Sequence, residues 1–240
     1  MTKIGMSLLV CDSSINIIFT HILYYKNKVD SIVCIANKPS KLLIHILNTI
    51  QKEVPNFKFL EVSSEVMTIA VQQKLCTKMS LYLKDLGCSW VIPCDDDEFY
   101  LGDIRGEIDK AESCGFNVLY QNGFCFYTTW DSEKIDLNPV RNMRYRDPDT
   151  IDYNFRKAIH KTSNFISTVS GNHWVNLSCP VKQTKSQSLI INHYHYRYRK
   201  TFADNEINGC WSMLNENQIL EKKLVFDDAL IHILDEEGIP

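Results

Sequence analysis

The sequence predicts an α/β protein in which a mostly parallel central sheet is flanked by helices. Through the first hundred residues, short apolar segments of strand length alternate with longer segments whose apolar residues recur at helical spacing. This order of strand and helix is typical of a doubly wound parallel sheet. A composition with 45% hydrophobic and 23% charged residues provides for a buried core.

The first half contains four predicted strands and three predicted helices. The strands are short and apolar, as buried parallel strands are: residues 3–10, 31–36, 57–62 and 89–94. The helices lie between them, at residues 15–27, 39–54 and 64–87. The second helix places five apolar residues on one face: Leu42, Leu43, Ile46, Leu47 and Ile50. In the third, Ser63 or Ser64 is the expected cap and Gly87 the stop.

The second half has a looser pattern, and a loop-rich region with closing helices is expected there. A helix is predicted at 103–115 and a strand at 117–129. Further strand-like pieces are residues 155–161, 165–170, 173–177 and 188–198, and the closing helices are 201–223 and 225–238. We expect a single domain over 1–240, with a nucleotide-binding half at 1–100 and an acceptor-side half at 101–240.

Charge and cysteine usage narrow the class of protein. A net charge of −3 argues against a dedicated nucleic-acid binder, although basic residues concentrate between Arg141 and Lys200, where they could hold an anion. The nine cysteines are odd in number, include no C-x-x-C pair and lie partly in apolar segments. There is no convincing signal peptide and no apolar run of about 20 residues. We therefore expect a reduced, cytoplasmic protein without a membrane span.

Four consecutive acidic residues, Asp95 to Glu98, follow the fourth predicted strand in the sequence PCDDDEF. Ligands of open α/β sheets bind at the carboxyl ends of the strands. In an extended segment Asp95 and Asp97 share one side, where two carboxylates suit Mg²⁺ or Mn²⁺. The alternative is a solvated acidic turn that caps the next helix. Phe99 and Tyr100 favour the cation, because they hold the acidic segment against the core.

These residues resemble a known family. GCSWVIPCDDDEFYLG (87–102) resembles the D-x-D-E-F signature of GT-A glycosyltransferases, in their family-two-like group. SGNHWV (170–175) is similar to the G-N-H segment of that group, and INHYHYRYRKTFADNEING (191–209) to its H-Y-x-x-R-S element. The chain departs from the group at three places. The usual Asn-Glu of the first strand tip is Cys11–Asp12 or Asp12–Ser13, the turn 36–40 has no acid, and Tyr198 and Asn205 replace Ser and Lys.

The resemblance implies a GT-A (Rossmann-like) nucleotide-diphospho-sugar transferase fold and a glycosyltransferase activity. The donor would be a UDP- or GDP-linked sugar, the acceptor a glycan or glycoprotein hydroxyl, and hexosyl or deoxyhexosyl transfer with inversion is expected. The implied ligands of Mn²⁺ or Mg²⁺ are Asp95, Asp97 and His193. The implied donor-binding residues are Asp12, Asn37, Asp96, Lys157 and Arg197, and weaker candidates for donor or acceptor contacts are His173, His195 and Trp174.

Other interpretations remain open from the sequence. The basic residues could be solvated surface charges, NHYHYRY could be an aromatic, hydrogen-bonded strand, and His173 could be structural. Spacing does not select a catalytic base among Asp131, Asp147 and Asp149. The chain could also be a metal-dependent phosphohydrolase or nucleotidyltransferase, or an inactive carbohydrate-binding relative. A P-loop ATPase is disfavoured, because the G-x-x-x-x-G-K-[ST] motif is absent.

Overall fold

A computed structural model describes residues 2–62, 68–127, 138–149, 157–169, 172–194 and 225–240 of the chain. Its centre is a set of four parallel strands in the order β3-β2-β1-β4. Their bounds are β1 Ile4–Val10, β2 Ser31–Asn37, β3 Phe57–Val62 and β4 Trp90–Asp95. β1 and β4 are buried almost throughout, which explains why they consist of continuous apolar runs. The predicted parallel sheet is confirmed.

Three helices connect these strands: α1 Ile18–Tyr25, α2 Lys41–Glu53 and α3 Ile69–Asp85. Ser40 caps α2, because its side chain accepts a hydrogen bond from the Leu43 N–H at 3.3 Å. The predicted start of the third helix is wrong, since α3 begins after Thr68, whose hydroxyl accepts from the Val71 N–H. Gly87 stops α3 as predicted, at φ +83°. Leu42, in the first turn of α2, is 56% exposed and therefore does not belong to the buried apolar face of this helix.

The described part of the second half contains more strand than the sequence predicted. Its helices are α4 Ile104–Ser113, α5 Pro139–Asn142 and α6 Ala229–Glu236. Its strands are β5 Glu98–Leu101, β6 Val118–Tyr127, β7 Tyr145–Arg146, β8 Ile159–Lys161, β9 Phe165–Val169, β10 Trp174–Leu177, β11 Gln183–His193 and β12 Val225–Phe226. Several have two to five residues, which is too short for a clear periodicity. β5, β7 and β12 were not expected from the sequence, and the loop-rich character of the second half as a whole stays a prediction. The predicted helix at 201–223 lies outside the described residues.

These strands extend the sheet beyond β4. The order continues β4-β8-β6-β7-β12, and each of these pairs is antiparallel. β11 runs parallel to β6 and antiparallel to β5, so it ties the strand after the acidic turn to the second half. β9 and β10 form a separate antiparallel pair. The result is a mixed sheet, mostly parallel at its centre, with helices against it.

The main core lies where α1, α2 and the C-terminal helix α6 pack against the sheet, and a second apolar cluster lies under α3. Phe99 and Tyr100 are fully buried, as predicted for residues that hold the acidic turn against the core. Within the described ranges, none of the helices combines the length and the apolar character needed to cross a bilayer.

Candidate active site

The carboxyl ends of β1, β2 and β4 meet at one edge of the parallel sheet. Asp12, Asn37 and Asp95 lie at these ends, because the register pairs Leu9 of β1 with Ile35 on one side and with Asp95 on the other. Strand direction therefore gathers three of the predicted site residues at one edge, although they are distant in sequence.

The acidic residues do not continue as an extended strand, as the sequence suggested. β4 ends at Asp95, and Asp96 and Asp97 form a turn that leads directly into β5. The Asp97 carbonyl accepts a hydrogen bond from the Tyr194 N–H at 2.8 Å, so the turn is fixed to the end of β11. Asp96 is buried within this turn, and its predicted role in donor binding stays a prediction.

The turn brings Asp97 and His193 together. Nε2 of His193 lies 3.5 Å from Oδ1 of Asp97, and both side chains are mostly buried. The pairing of β11 with β5 sets this contact, since it places His193 opposite Glu98. Tyr194, which directly follows β11, is buried against Phe99 and Phe126 on the face opposite His193, as the aromatic-strand interpretation predicted for this residue. His195 and Arg197 lie outside the described residues.

A lysine side chain supplies a cation to the same cluster. Nζ of Lys157 lies 2.5 Å from Oδ2 of Asp95 and 3.3 Å from Oε1 of Glu98, and the Lys157 side chain is only 1% exposed. Burial lowers the pKa of Lys157, but the charges of Asp95 and Glu98 outweigh it and raise that pKa above its usual value. Lys157 is therefore a buried ammonium group at the tip of β4.

The backbone around Lys157 is held in place by the Gln121 side chain and by a backbone hydrogen bond of the next residue. The Gln121 amide bridges it, donating to the Lys157 carbonyl at 3.1 Å and accepting from the Lys157 N–H at 2.6 Å. The next residue, Ala158, donates its N–H to the carbonyl of Asn172 at 3.0 Å. Asn172 belongs to the predicted G-N-H segment and has a positive φ of 64°. Asn172 thus lies next to the backbone that follows Lys157.

Glu98 organises the cluster, a role that the sequence did not assign to it. Its Oε2 accepts the Asp95 N–H at 3.0 Å, and its carbonyl accepts the hydroxyl of Tyr25 at 3.2 Å. Burial raises the pKa of Glu98 to about 8, while Lys157 acts in the opposite direction. The Nε2 of the fully buried His21 also contacts the Glu98 carbonyl. The acidic run D-D-D-E was the only sequence signal for Glu98.

The other two strand tips have different surroundings. Asp12 is exposed, and its Oδ1 accepts the Ser40 N–H at 2.8 Å, so it holds the start of α2.

Asn37, at the tip of β2, is 8% exposed, and its buried side-chain oxygen has no hydrogen-bond partner. It lies at one end of a groove of about 320 Å³ between β2, β3 and α3. Lys74 and Lys78 of α3 also line this groove. The Asn37 oxygen is therefore an unsatisfied buried acceptor beside the groove.

His173 and Trp174 lie at the start of β10. Trp174 is 38% exposed, and its ring packs edge-on against Tyr120 of β6, with the ring centroids 6.0 Å apart. The neighbouring Asn172 donates to the sulfur of Cys76 on α3 at 3.3 Å. These contacts join β10 to β6 and α3, and the predicted contacts of His173 and Trp174 with donor or acceptor stay predictions.

The residues at the acidic turn fit a divalent cation. One ion with ligand bonds of about 2.0–2.2 Å can bridge two donor atoms that are 3.5 Å apart, as Asp97 Oδ1 and His193 Nε2 are. The side chain of Asp95 is 29% exposed, beside its contact with Lys157. Within the described parts of the chain, no three His, Cys, Asp or Glu side chains are grouped closely enough to hold an ion alone. Phosphate oxygens and water would have to complete the coordination.

The chain was compared with known proteins both by sequence and by structure. Neither a family model nor a curated protein matches the sequence. One similar solved structure is a protein assigned as a glucose-1-phosphate thymidylyltransferase from Bacillus anthracis in complex with sucrose, with 10% identity, a TM-score of 0.35, and coverage of 55% of this chain and 58% of that one. Another is the bifunctional glycosyltransferase WbbM in its apo form, with 16% identity, a TM-score of 0.34, and coverage of 55% and 24%.

In both comparisons this chain covers less than two thirds of the other protein's length. At these TM-scores the similarity carries no argument. The chemistry must therefore be inferred from the residues at the edge of the sheet.

Proposed function

We propose that the chain is a glycosyltransferase that moves a sugar from a UDP- or GDP-linked donor to a hydroxyl group of a glycan or glycoprotein. The observation that carries the proposal is the pair Asp97 and His193, 3.5 Å apart beside Asp95 at the carboxyl edge of a parallel sheet. Carboxylate and imidazole donors at such an edge suit an Mn²⁺ or Mg²⁺ ion that binds a diphosphate.

The leaving group of such a transfer is a nucleoside diphosphate, on which negative charge increases as the sugar bond breaks. A divalent cation bound by Asp97 and His193, with Asp95 nearby, would act as a Lewis acid toward that diphosphate. Lys157 contributes a fixed positive charge next to the acidic turn, and its contact with Asp95 holds that carboxylate in one orientation. Glu98 fixes the Asp95 backbone through its N–H, so the carboxylates are positioned before the donor arrives.

Asn37 supports the same proposal from the second strand tip. Its amide oxygen is unsatisfied but buried, so it would accept a hydrogen bond from a nucleobase N–H only after the side chain turns toward the groove. The adjoining groove is mostly apolar, and Lys74 and Lys78 lie along it, where they could lie beside an anionic ligand. Asp12 is already bonded to the Ser40 N–H, so its predicted donor contact would have to use its other oxygen.

Turnover with sugar nucleotides tests the proposal. Release of nucleoside diphosphate is measured with UDP-glucose, UDP-galactose, UDP-N-acetylglucosamine, GDP-mannose and GDP-fucose, each with Mn²⁺ and with a chelator. Asp97→Asn and His193→Gln should each lower metal-dependent turnover by about 100-fold or more, because each replaces a carboxylate or imidazole ligand at the diphosphate site with a weaker amide ligand. Asp109→Asn, an exposed acid on α4, is the matched control and should retain full activity.

The other outcomes separate the alternatives. Phosphate release from plain nucleoside triphosphates, without sugar transfer, would identify a phosphohydrolase or nucleotidyltransferase. Binding of sugars without turnover of any donor would identify an inactive carbohydrate-binding relative. Titration calorimetry with Mn²⁺ and UDP or GDP gives an independent measurement. Absence of any binding heat for both diphosphates would refute the proposed donor site.

A further inference from the structure

β3 forms one edge of the sheet, and its outer side pairs with no strand in the part of the chain that the structure describes. On its inner side the register with β2 is regular, and the Lys38 N–H donates to the Val62 carbonyl at 2.7 Å. Because backbone groups alternate in direction along a strand, the even-numbered residues of β3 bond to β2. The N–H and C=O groups of Phe59 and Glu61 therefore point outward from the sheet.

This edge lacks most of the features that prevent strand addition. Natural sheet edges are protected by very short strands, prolines, bulges or charged side chains. β3 has six residues, no proline and an unbroken register with β2, and its charged side chains are Lys58 and Glu61. The strand at the opposite end of the sheet, β12, has only two residues. β3 is therefore long enough to accept another strand.

The groove between β3 and α3 adjoins the same edge. Leu60 of β3 is 54% exposed on one side of it, and Tyr82 of α3 is exposed on the other. The groove is also lined by apolar side chains of β2 and α3, among them Val33, Ile35, Leu75 and Met79. Residues that lie opposite each other on paired strands share one face of the sheet. A strand added to β3 would therefore place the residue opposite Leu60 over this groove.

The charge around the groove indicates the kind of partner. Lys74 and Lys78 line it from α3, and Lys58 lies on the same face of β3 as Leu60. All three lysines are exposed, and none forms an ion pair with another residue of the described ranges. Among the lining residues Glu61 is the single acid. A second copy of the chain, paired through β3, would bring two such sets of lysines together, so the charge favours an acidic partner.

We propose that β3 and the adjoining groove bind an extended acidic peptide segment of a partner protein by strand addition. Phe59 and Glu61 each exchange two hydrogen bonds with the peptide backbone, as in an antiparallel ladder. An apolar peptide residue opposite Leu60 enters the groove, and acidic residues on either side of it meet the lysines. An anionic lipid surface would match the charge, but it would not supply donors and acceptors at the spacing of a strand.

This binding is separate from the proposed sugar transfer. The nucleobase proposed above would lie at the Asn37 end of the groove, whereas the peptide lies along its outer side, at Leu60. The peptide therefore binds in the absence of a sugar nucleotide and of a metal ion.

N-methylated peptides test the proposal by fluorescence anisotropy. The probe is a labelled seven-residue peptide with a central valine-threonine-valine and two glutamates on each side. When the valines face the groove, the threonine N–H bonds to the edge and the valine N–H groups point away from it. N-methylation of the threonine should weaken binding by about tenfold or more, since it removes a hydrogen bond and places a methyl group between the strands. N-methylation of one valine is the matched control and should leave the affinity unchanged.

Substitutions in β3 test the same contact from the protein side. Glu61→Pro removes the outward N–H and leaves the bonds to β2 intact, because proline is tolerated on an edge strand where its nitrogen faces solvent. It should weaken binding of the probe by about tenfold or more, whereas Glu61→Thr, which keeps the N–H, should retain binding. Urea unfolding shows whether each variant is folded. If Glu61→Pro does not fold, the N-methylated pair still decides the question.

The role of charge is tested on α3. Lys78→Glu should weaken binding at low salt by about threefold or more, and added salt should weaken binding to the unmodified protein. Lys84→Glu, exposed on the same helix and outside the groove lining, is the matched control and should bind the probe normally. A probe in which lysines replace the glutamates should not bind.

The remaining outcomes overturn the proposal. Absence of probe binding, or equal weakening by both N-methyl groups, excludes strand addition. Binding to vesicles of phosphatidylserine and phosphatidylcholine, without binding of the peptide, identifies a lipid surface. A dimer in sedimentation velocity that Glu61→Pro disrupts identifies a second copy as the occupant. None of these measurements uses a sugar nucleotide, so their failure is distinguishable from failure of the proposed glycosyltransferase function.

Discussion

The Lys157 ammonium lies within ion-pairing distance of Asp95 and Glu98, in a site that is nearly closed to solvent. Four adjacent acids at a buried strand end require positive charge nearby, because desolvated carboxylates repel one another. Lys157 meets part of that requirement, and His193 lies beside Asp97. The sequence could identify Lys157 as an anion-binding residue but not its partner, since 62 residues separate it from Asp95. The contact arises only when β8 pairs with β4.

Substitution of Lys157 tests this balance. Lys157→Met keeps the length of the side chain and removes its charge, which leaves Asp95 and Glu98 without their buried cation. We expect a loss of about 3–5 kcal/mol in the free energy of unfolding, measured with urea and tryptophan fluorescence. Adding Asp95→Asn should recover part of this loss, because it removes the carboxylate that Lys157 contacts at 2.5 Å.

Lys161→Met is the matched control. Lys161 pairs with Glu112 at 2.9 Å on the surface, where ion pairs contribute at most about 1 kcal/mol. If Lys157→Met were as stable as this control, the ion pairs of Lys157 would have no structural role.

At the scale of single elements, the sequence predicts strands β1 to β4 and helix α2 well, because each is a strongly apolar or periodic segment. It fails for β5, since the strand is only four residues long and begins inside the acidic run. It also misplaces β11, which ends at His193 and not at residue 198. The pairing of β11 with β5 determines where His193 lies, and a pairing of this kind is not visible in local sequence.

The start of α2 illustrates how an element links to the site. The Ser40 hydroxyl accepts the Leu43 N–H, and Asp12 at the tip of β1 accepts the Ser40 N–H. Ser40→Ala removes the side-chain cap, so the free energy of unfolding should fall by about 1 kcal/mol, and Ser40→Gly should cost only a few tenths. Urea unfolding of both variants measures the difference.

Thr49→Ala, on the exposed side of α2, serves as the control. Its hydroxyl bonds only to the His45 carbonyl within the helix, so a change within about 0.5 kcal/mol is expected. Equal stability of Ser40→Ala and this control would contradict a capping role for Ser40.

For the whole molecule, the residues after 224 belong to the same core as the first strands. Leu230, Leu234 and Ile239 are buried in the cluster that also contains residues of β1 and α1. Polar contacts reinforce this packing, because the Pro240 carbonyl accepts hydrogen bonds from Thr20 and Asn138. The sequence predicted a closing helix here from its periodicity. It could not predict where the helix docks, since docking depends on contacts across more than 200 residues.

Truncation of one core residue on α6 measures how strongly this docking couples the two ends of the chain. Leu234 is fully buried, so Leu234→Ala should lower the free energy of unfolding by about 2–5 kcal/mol through lost apolar contact and the cavity that remains. His232→Ala, on the exposed face of the same helix, should change it by less than about 0.5 kcal/mol. Urea unfolding followed by tryptophan fluorescence distinguishes the two cases, because the reporter Trp90 lies in the same core on β4. If both variants unfolded at the same urea concentration as the unmodified protein, the packing of α6 would contribute nothing to the stability of the sheet.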